Sequence, residues 1–214
     1  MKTLRPVAIV AMTLSLAACG GPKIYKSAGM EETLSKHKTV AILPAAVTIK
    51  LRPNEAKKMS AEQVADLDMK TGLNFQDKTY GWLLRKADKY HYTVTFQDIN
   101  KTNALLKKAN IRYEDLASTD RGALAKALGV DAVIQDNIRM EKPMSDGAAV
   151  AVGLLVGAWG STNKVETTIN IHDGSSGNLL WKYDYQASGS VGSSTDNLVD
   201  ALMKNACKKF PYKG

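Results

Sequence analysis

Cysteine, histidine and long apolar runs are all scarce in this chain of 214 residues, which has two cysteines and three histidines. None of the histidines lies in a His-Glu-x-x-His or Cys/His spacing, so no zinc centre is expected. His37, His91 and His172 are far apart in sequence and read as surface or strand-edge residues. No Gly-x-Ser-x-Gly elbow or phosphate loop is present, and no cofactor is expected. Ser161-Thr162-Asn163-Lys164 has the Ser-x-x-Lys spacing, but the companion motifs of serine acyl-transfer enzymes are missing. No catalytic constellation emerges, so no enzyme is expected. Repeats and coiled-coil heptads are also lacking.

What is present begins at the amino terminus. Lys2 and Arg5 precede the apolar stretch Val7 to Leu16, and Leu16-Ala17-Ala18-Cys19 closes it as a bacterial lipobox. The stretch is too short to span a bilayer. Residues 1–18 are therefore expected to be cut away as a signal peptide, leaving Cys19 acylated and the chain anchored to lipid. Removing 18 of 214 residues leaves 196, enough for one domain with a real core. The formal charge of +8 falls to +6 when Lys2 and Arg5 leave. Export excludes nucleic acid as the partner of this basic chain, and its lysines are interspersed with carboxylates as on an ordinary solvated surface. With its sulfur in a thioether, Cys19 cannot pair with Cys207, which reads as a small semi-buried hydrophobe.

Gly20, rather than the aspartate that retains many lipoproteins in the inner membrane, follows the cysteine. The expected location is the outer membrane, with the domain facing the periplasm. Residues 19–38, rich in Gly, Pro, Lys, Ser and Glu, read as a flexible tether with a span of about 25 Å. Residues 39–214 read as one α/β domain.

Within it, Thr39 to Leu43 is an apolar strand stopped by Pro44, and Leu73, Tyr80, Leu83, Leu84 and Ala87 recur at helical spacing. Tyr92 to Phe96 alternates as a strand. Asp98 or Thr102 is placed to cap a helix through Leu105, and Ser118 to Arg121 to cap another that Gly129 ends. A strand runs from Val130 to about Met140; Val165 to His172 and Leu179 to Tyr185 form a hairpin around Asp173 to Gly177. A closing amphipathic helix over 195–210 presents Leu198, Val199, Leu202, Met203, Ala206 and Phe210 on one face. The expected fold class is α/β: a mixed sheet of about five strands flanked by helices.

Two patterns carry a resemblance: Leu128-Gly129-Val130-Asp131-Ala132-Val133-Ile134, and Asp173, Gly177 and Trp181 in a D-x-x-x-G-x-x-x-W hairpin. They resemble the periplasmic lipoproteins built on the small α/β domain shared by the TolB amino-terminal domain, the curli-secretion lipoprotein CsgG and the activator LpoB. The likeness spans about Thr39 to Phe210. It implies an assembly, secretion, scaffolding or activating role, with no shared active-site residues to transfer.

One segment stands apart. Gly147 to Gly160 is fourteen residues without a charge, which a surface loop should not be. Burial in the domain's own core, an oligomer contact and insertion into the outer membrane all remain open for it. Val150, Val152, Leu154, Leu155, Val156 and Trp159 are its candidate partner or membrane contacts. The leading expectation is a non-enzymatic interaction module that binds another envelope protein or itself. The alternative is a subunit of a secretion or transport assembly in which residues 147–160 touch lipid. Saccharide binding through Trp159, Trp181 or tyrosines is a third possibility.

Overall fold

The computed structural model describes residues 22–51, 53–141, 162–189 and 195–214. Its strands are β1 (Lys23–Lys26), β2 (Thr39–Ile42), β3 (Ala46–Lys50), β4 (Thr95–Phe96), β5 (Ala132–Glu141), β6 (Thr162–Asp173) and β7 (Leu179–Gly189). The helices are α1 (Met30–Leu34), α2 (Pro53–Ala56), α3 (Ala61–Tyr90), α4 (Ile99–Lys108), α5 (Arg121–Leu128) and α6 (Thr195–Lys209). The fold is mixed α/β, as expected, with a sheet of seven strands rather than about five, in the order β1-β7-β6-β5-β2-β4, β3 also pairing with β5.

β5 organises the sheet. Its first residues pair in parallel with β2 (Val40 with Ala132, Ile42 with Ile134), and its last five pair in parallel with β3 (Ala46 with Asn137, Lys50 with Glu141). β2 and β3 thus lie end to end along one side of β5, separated by Leu43, Pro44 and Ala45. Proline has no amide to donate to a ladder, and there Gln135 Nε2 donates to the Pro44 carbonyl at 3.1 Å. The other side of β5 pairs antiparallel with β6 along its whole length.

Both faces of the centre are covered, which explains the unbroken apolar run of β2. Val40 and Ile42 join one cluster with Phe75 and Leu83 of α3 and Leu198 and Leu202 of α6; Ala41 and Leu43 join another with Leu106 of α4 and Leu124 and Leu128 of α5. The caps fall where the sequence places them. Asp98 accepts from the Lys101 amide, Asp120 from the Ala123 amide, and Gly129 ends α5 in the left-handed region at φ 65°. Thr102, the other candidate cap, is buried and donates to Gln97 Oε1 instead.

Three expectations are corrected. Residues 23–38, read as part of a tether, fold into the domain: β1 pairs antiparallel with β7, and Met30 and Leu34 of α1 enter the core. The strand expected over Tyr92 to Phe96 shrinks to Thr95–Phe96. The long helix begins at Ala61, with a Ser60–Gln63 capping box. It turns Phe75, Thr79 and Leu83 to the sheet while Leu73 and Leu84 are exposed. Its register is set by contacts that the apolar spacing does not encode: the Ala45 amide donates to the Gly72 carbonyl at 3.1 Å, and Gln76 Nε2 to the Ile42 carbonyl at 2.7 Å.

Candidate functional site

A cleft of about 1000 Å³ opens at the end of the sheet where β5 begins and the β6–β7 turn lies. Two aspartates define it. Asp131, one residue before β5, accepts from the Lys38 and Thr39 amides at 2.8 Å each, and these bonds hold its carboxyl below the usual carboxylate range. Asp173, the last residue of β6, folds its turn around itself. Its Oδ2 accepts from Ser175 Oγ at 2.6 Å, Ser176 Oγ at 2.6 Å and the Ser176 amide at 2.8 Å.

The other oxygen, Oδ1, meets His37 Nε2 at 3.0 Å, and His37 Nδ1 meets the Tyr212 hydroxyl at 2.7 Å. His37 is 4% exposed, which corrects its reading as a surface histidine. Burial works to raise the Asp173 carboxyl, but the Ser175 and Ser176 hydroxyls, the His37 ring and the Ser176 amide together outweigh it and hold the group well below its ordinary value. Both ring nitrogens of His37 are occupied, and both serine hydroxyls are spent on the aspartate. The set joins the segment before β2, the hairpin turn and the carboxy-terminal tail. Tyr212 is buried, and its backbone carbonyl also accepts from the Thr93 amide at 2.9 Å. Both partners of the imidazole, Asp173 and Tyr212, are themselves buried, so the network ties distant segments together inside the fold. Around it Lys36, Lys126, Asn178 and Tyr25 line the mouth.

A second concavity, about 690 Å³, lies past the end of β2, lined chiefly by Pro44, Met69, Leu73, Leu106, Ile111 and Leu116. Beside it the Tyr113 hydroxyl accepts from the Val47 amide at 3.1 Å and reaches the carbonyls of Ala45 at 2.8 Å and Asp68 at 3.0 Å. That hydroxyl is a hinge pin between β3 and α3. Gly72 is what lets the helix in, because a Cβ there would strike the Ala45 carbonyl oxygen.

The core itself holds a third polar feature. Asp136 is wholly buried on the α3 face of β5, and neither of its carboxyl oxygens has a hydrogen-bond partner. Thr79 Oγ1, Thr167 Oγ1 and the Tyr183 hydroxyl on that same side are likewise unpartnered. Burial pushes the Asp136 carboxyl up to about 7; the nearby Thr79 hydroxyl opposes the shift although the two do not meet hydrogen-bond geometry. Unpaired buried polar atoms are rare and costly, so this group is a weak point in the fold, and its composition is visible in sequence only as an aspartate within a strand.

Among the residues singled out from sequence, Cys19 and the whole of Gly147 to Gly160, including Val150, Val152, Leu154, Leu155, Val156 and Trp159, lie outside the described residues. Trp181 is fully buried, stacked on Tyr183 and edge-on to Phe210, and so is not available to a saccharide. Cys207 is a buried free thiol, as expected. His172 is half-buried with Nδ1 3.2 Å from the Gly177 carbonyl, and His91 caps α3. Among the described residues no group of three or more histidine, cysteine or acidic side chains could hold a metal, and no helix is long and apolar enough to cross a membrane. The site that sequence reasoning missed is the cleft: His37 meets partners 136 and 175 positions away, and only the turn around Asp173 left a local signal.

No family model matches the chain, and no curated protein matches it. Solved structures that align with it include a lipoprotein from Neisseria meningitidis, at 14% identity and TM-score 0.41, covering 80% of this chain and 94% of that one. The PelC dodecamer from Paraburkholderia phytofirmans aligns at 12% identity and TM-score 0.42, over 91% of this chain and 97% of that one. The LpoB carboxy-terminal domain from Escherichia coli aligns at 10% identity and TM-score 0.36, over 74% of this chain and 95% of that one. At these identities and scores the alignments establish neither family nor function.

Proposed function

We propose that this protein is a bacterial lipoprotein, held in the outer membrane through acylated Cys19 and facing the periplasm, whose α/β domain works by contact with another envelope protein or with itself and not by catalysis. The anchor rests on the lipobox Leu16 to Cys19 behind its basic and apolar leader. The observation that carries the non-catalytic reading is the closed His37–Asp173–Tyr212 network. Among the described residues, the constellation of histidine, acid and hydroxyl groups in the cleft uses both His37 ring nitrogens and both serine hydroxyls internally. Such a set, with His37, Asp173 and Tyr212 all buried, fastens three distant segments and keeps the imidazole away from a substrate in the cleft.

The test is made in cells. A photo-crosslinking residue at Asn178 or Lys126, both at the cleft mouth and exposed, should give one discrete protein adduct, and Cys19→Ser should move the chain out of the membrane fraction and abolish that adduct. A Cys19→Ser chain that stays with the membrane, or a purified chain whose turnover of a substrate is lost on His37→Ala, would overthrow the proposal.

A further inference from the structure

The strand register, combined with the spacing to the anchor, orients the domain. Only Gly20, Gly21 and Pro22 separate Cys19 from Lys23, the first residue of β1. Four Cα steps reach at most about 14 Å, so the lipid-bearing residue lies within that distance of the sheet. β1 enters the sheet running opposite to β7, with Lys23 level with Asp184. Asp184 is in turn level with Thr168 of β6, and Thr168 with Asn137 of β5.

From that level the long strands continue toward the side from which β1 enters. β7 runs on from Asp184 to Gly189, about 17 Å, and β5 from Asn137 to Glu141, about 13 Å. Cys19, with its linker fully extended along the same direction, reaches about 14 Å, level with the β5 tip and short of the β7 tip. The chain between Glu141 and Thr162, which contains the uncharged run Gly147 to Gly160, leaves and rejoins the sheet at that same end. A run of that composition is costly to place against water and suits an apolar or interfacial surface. Asp131 and Asp173, at the floor of the cleft, lie at the opposite end, about 17–20 Å from the level of Lys23, with Tyr25 at the near lip of the mouth.

We infer that the end of the sheet formed by Glu141, Thr162 and Gly189 rests on the bilayer, a lipid surface being its partner, and that the cleft at the Asp173 turn points away from the membrane. This rests on the reading of Cys19 as the acylated anchor. It adds to that reading a pole and a direction, which an anchor alone does not supply.

Two spin labels test it. Gln186 of β7 and Asn178, one residue before β7, are exposed and stand eight positions apart, at most about 25 Å. Gln186→Cys and Asn178→Cys are labelled in the full-length lipidated protein, with the buried Cys207 left in place and the unsubstituted protein as the labelling control. Each is reconstituted in phosphatidylethanolamine/phosphatidylglycerol vesicles carrying a nickel chelate on a lipid headgroup, after unfolding curves show that both variants keep the parent's stability. The expected result is strong relaxation enhancement at position 186 and little at 178. Equal enhancement at both, as for a sheet lying edge-on along β1, overturns the inference while leaving the anchor intact; so does stronger enhancement at 178. Failure of the protein to associate with vesicles at all overturns the anchor reading, and the orientation with it.

Discussion

Asp136→Asn isolates the strangest residue in the core. In the unfolded chain this carboxyl titrates near 3.8, and in the fold, wholly buried and unpartnered, near 7. Because the folded-state value is the higher one, the native protein keeps a proton that the unfolded chain gives up between those two pH values. Stability is therefore fully present at about pH 4 and below, falls as pH rises toward 7, and is flat beyond. The gap is about three pH units at about 1.4 kcal/mol each, an upper bound of about 4 kcal/mol. An asparagine has nearly the same shape and no charge to lose. Urea unfolding of the protein and of Asp136→Asn at pH 3, 6 and 8 should show nearly equal stability at the lowest pH and a widening advantage for the variant above it. Other groups that titrate in this range, such as Asp68, whose carboxyl burial raises to about 6, are present in both proteins and cancel in the difference. A gap between the two proteins that does not change with pH would refute the claim that Asp136 is held protonated.

Three other substitutions probe the frame. Gly72→Ala drives a methyl into the Ala45 carbonyl and to within 2.8 Å of the Tyr113 ring. It should cost about 3 kcal/mol in chemical denaturation, at the upper end for overpacking, since the obstacle is backbone. Tyr212→Phe leaves His37 Nδ1 without its 2.7 Å partner and should cost about 1–3 kcal/mol, with faster proteolysis of the carboxy-terminal tail as a second readout. Asp120→Ala removes the α5 cap and should lower stability by about 1 kcal/mol in the same assay.

What the sequence discloses of this fold is what is encoded locally. The Asp120 cap, the Gly129 stop and the tight turn from Asp173 to Gly177 each need a particular residue within a few positions, and all three stand where the pattern puts them. The apolar face of α6 shows for the same reason: Leu198, Leu202 and Ala206 are buried at four-residue intervals. β1 was hidden because Lys-Ile-Tyr-Lys is an edge strand exposed at every position, and its identity comes from pairing with a strand about 160 residues away. β3 was hidden behind Pro44, which reads as a stop although the chain resumes the same line along β5. The face of α3 was misjudged because its contacts with the sheet include Thr79, Gln76 and a glycine, none of which adds to an apolar stripe. The cleft was out of reach altogether: a buried histidine differs from a surface one only through partners that the fold brings to it.

The fold of residues 23–38 also changes the functional picture, since under the proposed acylation of Cys19 only three residues, and not a twenty-residue tether, separate the anchor from the sheet. That consequence depends on the modification of one thiol. Mass spectrometry of the amino-terminal peptide from membranes of the native host tests it most directly. The account predicts a mature chain that begins at Cys19 and carries a diacylglyceryl thioether; a chain that retains residues 1–18, or an amino-terminal Cys19 with a free thiol, would contradict it.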